Sequence, residues 1–116
     1  MVIKRYADVK PGQYAGVPAG VEMREMITAG DGAPNFSLRV FDLDPGASTP
    51  FHAHGWEHEV FILQGKGRVR TEGQETPFQS GDSVFIAPHE THCFIADIGV
   101  PLRFICVVPS KDRCQL

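Results

Sequence analysis

GASTPFHAHGWEHEVFILQG, residues 46–65, carries three of the five histidines of a 116-residue chain between two glycines. His52 and His54 are two apart, so on an extended segment both imidazoles leave the same face. His58 has the same parity, and so do Val60 and Ile62, which a half-buried strand turns toward its interior. On that count His58 points inward with His52 and His54, and Glu59 points away. The count requires that Gly55, Trp56 and Glu57 introduce no bulge, because one extra residue exchanges the two faces.

Outward from this stretch the chain keeps one texture. Short runs rich in Val, Ile, Phe and Leu alternate with Gly and Pro, which number 12 and 9. Strands are predicted over Phe36–Leu43, Glu59–Leu63, Arg68–Glu72, Ser83–Ala87, His92–Ala96 and Leu102–Val108, with turn chemistry at Asp44-Pro45-Gly46, Gln64-Gly65-Lys66-Gly67 and Pro88. Such spacing reads as an all-β sandwich or barrel, with little or no helix. Residues 1–22 read as an N-terminal arm with one or two edge strands, 23–109 as the barrel and 110–116 as a polar tail, together a single domain. Val60–Leu63 and Phe104–Val108 are apolar at every position. One barrel buries one face of each strand, so their outward faces call for a second cover, either the arm or another subunit. A homodimer is expected.

Composition excludes several classes. A net charge of −3 offers no basic excess for nucleic acid. No apolar run approaches the ~20 residues of a membrane span. The start of the chain lacks a signal-peptide apolar region. Cys93, Cys106 and Cys114 form no CxxC pair and leave one thiol over, which suits a reducing cytoplasm. Cys93 and Cys106 sit in apolar runs and read as small hydrophobes.

His92 opens a further apolar run with Phe94 and Ala96 on its face, and imidazoles converging from strands suffice for a metal site. Here the chain resembles the cupins, small β-barrels of the jelly-roll, double-stranded β-helix type. Their first motif, G-x5-H-x-H-x(3,4)-E-x6-G, corresponds to Gly46, His52, His54, His58 and Gly65. Their second, G-x5-P-x-G-x2-H-x3-N, corresponds to Gly81, Ala87, His89, His92 and Ala96. Six residues separate His58 from Gly65, so His58 takes the slot that usually holds glutamate; Glu59 leaves five. Ala87, His89 and Ala96 replace the usual Pro, Gly and Asn, and His89 is read as a rim residue outside the site. The resemblance implies the all-histidine subgroup: one divalent metal ion, Mn2+ first, with Zn2+, Fe2+ or Ni2+ as alternatives, on His52, His54, His58 and His92. Glu59 is the alternative ligand to His58.

Four neutral ligands leave the ion its full charge and, at octahedral coordination, two open positions. That favours anionic oxygen donors such as carboxylate, enolate or phosphate. No Ser-His-Asp grouping, phosphate loop or nucleotide fingerprint is present. Glu57 and Glu59 are the candidate catalytic carboxylates, with a solvated loop as the alternative for Glu57. Arg39 and Trp56 are the candidate substrate contacts; Arg39 could equally face outward in a salt bridge, and Trp56 could pack on a strand end. The resemblance implies a metal-dependent dioxygenase, isomerase, lyase or decarboxylase acting on a small oxygen-rich substrate. A non-catalytic binding or sensing module, or a barrel with adventitious metal, are the alternatives.

Overall fold

The computed structural model describes residues 1–12 and 17–110. Among them eight strands run in chain order: β1 Val21–Ile27, β2 Phe36–Leu43, β3 His58–Gln64, β4 Lys66–Thr71, β5 Gln74–Gln79, β6 Ser83–Ile86, β7 His92–Ala96 and β8 Leu102–Pro109. Among the described residues helical structure is confined to two 3-10 turns, Tyr6–Asp8 and Ala29–Asp31. All strand pairings are antiparallel, in a five-stranded sheet ordered β1-β2-β8-β3-β6 and a three-stranded sheet ordered β5-β4-β7. This is the expected all-β jelly roll. The expected strand list lacked β5 and β1; the edge strands expected within residues 1–22 overlap β1 only at Val21 and Glu22.

Alternation explains the inner face. Val60, Ile62, Leu102, Phe104 and Cys106 are buried from β3 and β8, while Phe61 and Leu63 are exposed. Phe94 of the small sheet meets Phe104 of the large one with ring centroids 4.9 Å apart, and Phe104 stacks on Phe41 at 5.0 Å. Such pairs contribute about 0.5–1.5 kcal/mol each beyond the area they bury. Two glycines allow neighbouring backbone segments to approach closely. Gly65 turns at φ 91°, where a Cβ would stand 2.3 Å from the Pro101 carbonyl oxygen, and a Cβ on Gly67 would stand 2.0 Å from that of Ile95. Any side chain at either position would push the strands apart.

The arm covers one end of the large sheet's outer face. Tyr6 donates its hydroxyl to Asp42 of β2 and accepts from Arg24 Nη1 at 2.8 Å and Arg103 Nη2 at 2.9 Å. Both guanidinium groups lie over its ring, at 4.3 and 4.2 Å from the centroid. Elsewhere on the outer face Phe36, Phe61 and Phe85 are exposed among the described residues. Ser110 is buried and donates to the Pro34 carbonyl at 3.2 Å; residues 111–116, with Cys114, lie outside the described residues.

Candidate metal centre

Two local arrangements bring the histidines together. Residues 47–52 run beside β7 as an irregular extra strand, bonded through Ala96 N–H to the Ala47 carbonyl at 2.9 Å and Thr49 N–H to that of Phe94 at 3.0 Å. His52 and His92 then face each other as a hydrogen-bonded pair, exchanging backbone bonds of 3.1 and 2.9 Å. The chain bends at Gly55 and Trp56 and enters β3 at His58. His54 therefore does not sit on a regular strand. It is fixed by its own contacts: its ring stacks on Trp56, 4.2 Å between centroids and 6° between planes. His89 donates its backbone N–H to the His54 carbonyl at 2.7 Å.

His54 Nδ1 lies 2.9 Å from the Trp56 carbonyl and His92 Nδ1 2.7 Å from the Glu90 carbonyl. A carbonyl only accepts, so both Nδ1 atoms carry hydrogen, and in the neutral ring that leaves Nε2 as the atom with the lone pair. His58 Nε2 stands 2.6 Å from His54 Nε2. The ligand nitrogens of His52, His54 and His92 all lie within 4.8 Å of one another. His58 falls outside that tightest set, yet its ring is 4.4 Å from His54 and 5.1 Å from His92. Burial, then the Arg39 charge, pushes the His58 pKa down to about 2. Burial takes His54 to about 4 and lowers His52. A divalent cation requires neutral imidazoles, the form that burial favours for His52, His54 and His58, so the donor set fits one.

The four rings share a cavity of about 120 Å³ with Arg39 and Trp56, below the roughly 300 Å³ of drug-sized sites, and no Asp or Glu lines it. Arg39 points inward because the β2–β8 register sets it opposite Cys106, whose side chain faces the core. Its Nη2 donates to Cys106 Sγ at 3.2 Å and its Nη1 to Met23 Sδ at 3.6 Å, and its guanidinium lies 5.1 Å from the Phe41 ring centroid. Its Nε is buried without a partner, and no ion pair among the described residues includes it.

Glu57 and Glu59 lie elsewhere. Both line an outer groove with Phe36 and Val107, so neither reaches the histidine cavity. His89 is exposed at the rim with φ 68°, the left-handed conformation for which glycine is suited, and an L side chain there costs about 1 kcal/mol. Sequence reasoning missed Cys106. It was read as a small hydrophobe, and no local signal shows that register pairs it with Arg39 across 67 residues.

The chain belongs to the cupins. The cupin-domain family model Cupin_2 matches residues 39–108, more than half of the chain. It is 27% identical to the "Oxalate-binding protein" of Thermotoga maritima, over 92% of this chain and 93% of that one. It is 30% identical to the 1-methylthio-D-xylulose 5-phosphate methylsulfurylase of Rhodospirillum rubrum, over 80% of this chain but 60% of that protein's length. Among solved structures, the polyketide cyclase RemF from Streptomyces resistomycificus superposes with a TM-score of 0.86 at 32% identity, covering 96% of this chain and 80% of RemF.

Proposed function

We propose that this cupin holds one divalent metal ion, Mn2+ first among Mn2+, Zn2+, Fe2+ and Ni2+, on His52, His54, His58 and His92, and binds a small oxyanion beside it. The observation that carries this reading is the cavity itself. It gathers four imidazoles and an arginine that has no ion-pair partner among the described residues, and none of the described carboxylates lines it. A bound ion would act there as a Lewis acid and an anchor for carboxylate or enolate oxygens. The chain's own groups do the rest. Arg39 offers a charge that lacks a counter-ion among the described residues, Trp56 and Phe94 shape the walls, and the volume admits a guest of a few heavy atoms. A metal-dependent enzyme acting on a small carboxylate or enol substrate is the leading reading. A binding module without turnover is the second, supported by the absence of a carboxylate base from the cavity and by the likeness to an oxalate-binding protein.

Elemental analysis and oxalate titration of the untagged chain test both readings. Wild type and Glu59→Ala are expected to carry one equivalent of metal, and His92→Ala essentially none. If His58→Ala keeps its metal while Glu59→Ala loses it, the ligand register is wrong. Oxygen consumption or product formation in air with keto acids, phenols and oxalate identifies an enzyme; saturable oxalate binding without conversion identifies a binder.

We also propose that a second copy of this chain covers the open part of the outer face. Phe61 and Phe85 stand there beside Val84 and Ile105. Such a patch meets its own image across a two-fold axis, apolar on apolar. Light scattering should then show a dimer that Phe85→Asp converts to monomer; a monomeric wild type at high concentration sinks the idea.

A further inference from the structure

Each Nδ1–H on the back of a metal-facing imidazole needs an acceptor, and the histidines meet that need differently. His54 and His92 use the carbonyls of Trp56 and Glu90. His58 has no such carbonyl. Two groups stand near its Nδ1: Cys106 Sγ at 3.0 Å and Arg39 Nη2 at 3.4 Å. A guanidinium has donors and no acceptor, so the sulfur is the acceptor of that pair. His58 and Cys106 are 6% and 2% exposed, which leaves no room for bulk water to substitute. Register fixes the sulfur from both sides, because Cys106 pairs with Arg39 on β2 and with Val60 on β3.

We propose that Cys106 is the positioning residue of the metal centre. Its sulfur receives His58 Nδ1–H and so turns Nε2 toward the cavity, while it also receives Arg39 Nη2–H and holds the guanidinium at the cavity's edge. The inference rests on the metal-site reading above and adds a residue to it. A cysteine kept merely as a small hydrophobe would be replaceable by any apolar residue of similar volume. A cysteine kept as an acceptor would be replaceable by serine, whose hydroxyl can accept both bonds.

The test is calorimetric Mn2+ titration of the full chain, with thermal melts of each metal-free variant alongside. Cys106→Val should lower Mn2+ affinity by about 10–100-fold, the range for losing a group that orients a ligand, while Cys106→Ser stays within about threefold of wild type. If Cys106→Val melts too low to titrate, Cys106→Ala takes its place with the same expectation. Valine or alanine binding Mn2+ as wild type does would overturn the proposal. So would serine losing as much affinity as valine, which would make the effect one of packing. A wild-type chain that takes up no Mn2+, Zn2+, Fe2+ or Ni2+ would overturn the metal reading and this inference with it, a result distinct from either of those.

Discussion

The outer face of the large sheet holds a pair of arginines and its inner face a single one, and the two arrangements are built on opposite plans. On the outer face Arg24 and Arg103 share Asp42, with bonds of 3.2 and 2.6 Å, and Tyr6 lies between their guanidinium groups. Charge there is largely matched, and the effect is mechanical: the arm is fastened across β1, β2 and β8. On the inner face Arg39 makes no ion pair among the described residues, donates to two sulfur atoms and leaves Nε unpartnered. Burying a charge without a counter-ion is costly, and no structural return is visible for it. A cluster balanced by its own chain holds the fold together. An arginine left unbalanced among the described residues beside a cavity is, on the proposed reading, balanced by a bound oxyanion.

Paired substitutions separate the two plans most sharply. Asp42→Ala should cost about 2 kcal/mol of stability, because it strands two arginines and the Tyr6 hydroxyl together. Arg39→Met, which keeps the volume and removes the charge, should leave the metal-free chain as stable as wild type or about 1 kcal/mol more stable. On the proposed oxyanion reading, the same variant should lower oxalate affinity by at least about 30-fold, the low end for losing one partner of a desolvated charge pair. Urea melts of the metal-free proteins and calorimetry of the loaded ones give both numbers. If Arg39→Met destabilises as much as Asp42→Ala, Arg39 is a structural group and the contrast collapses.

Legibility in the sequence follows the same division. The inward set His58, Val60 and Ile62 was readable because β3 keeps strict alternation up to Ile62; its register shift against β8 falls after that residue. The Phe36–Leu43 and His92–Ala96 strands were readable from their apolar runs. β5 was not, because Gln74–Gln79 is an edge strand with Pro77 in it and buries one residue, Phe78. The direction of Arg39 was open at the sequence level, since it depends on which residue of β8 stands opposite. Glu57 showed the reverse weakness: adjacency to His58 in the chain suggested a role at the cavity, and the bend at Gly55 and Trp56 left it on the outer groove.

Acid should expose the inner face while the metal is absent. His58 and His54 have folded pKa values of about 2 and about 4 against 6.5 for the unexceptional imidazole. Between the folded and unfolded values the unfolded chain binds the additional proton, so stability rises with pH there. The contribution is complete above about pH 6.5 and is lost as pH falls toward the folded values. The slope approaches 1.4 kcal/mol per pH unit for each group that stays neutral in the fold, about 1.4 being the value of one pKa unit. For His58 that limit is the better guide, because it is buried; His54 is half-buried and solvent moderates its share. Urea midpoints of the metal-free chain should therefore fall steadily from about pH 7 to about pH 5, and His58→Leu should flatten the decline by close to one group's share. An unchanged slope in His58→Leu would mean that His58 protonates in the fold as readily as in the unfolded chain. The inner face would then be as well solvated as the outer one, and Arg39 would need no guest to balance it.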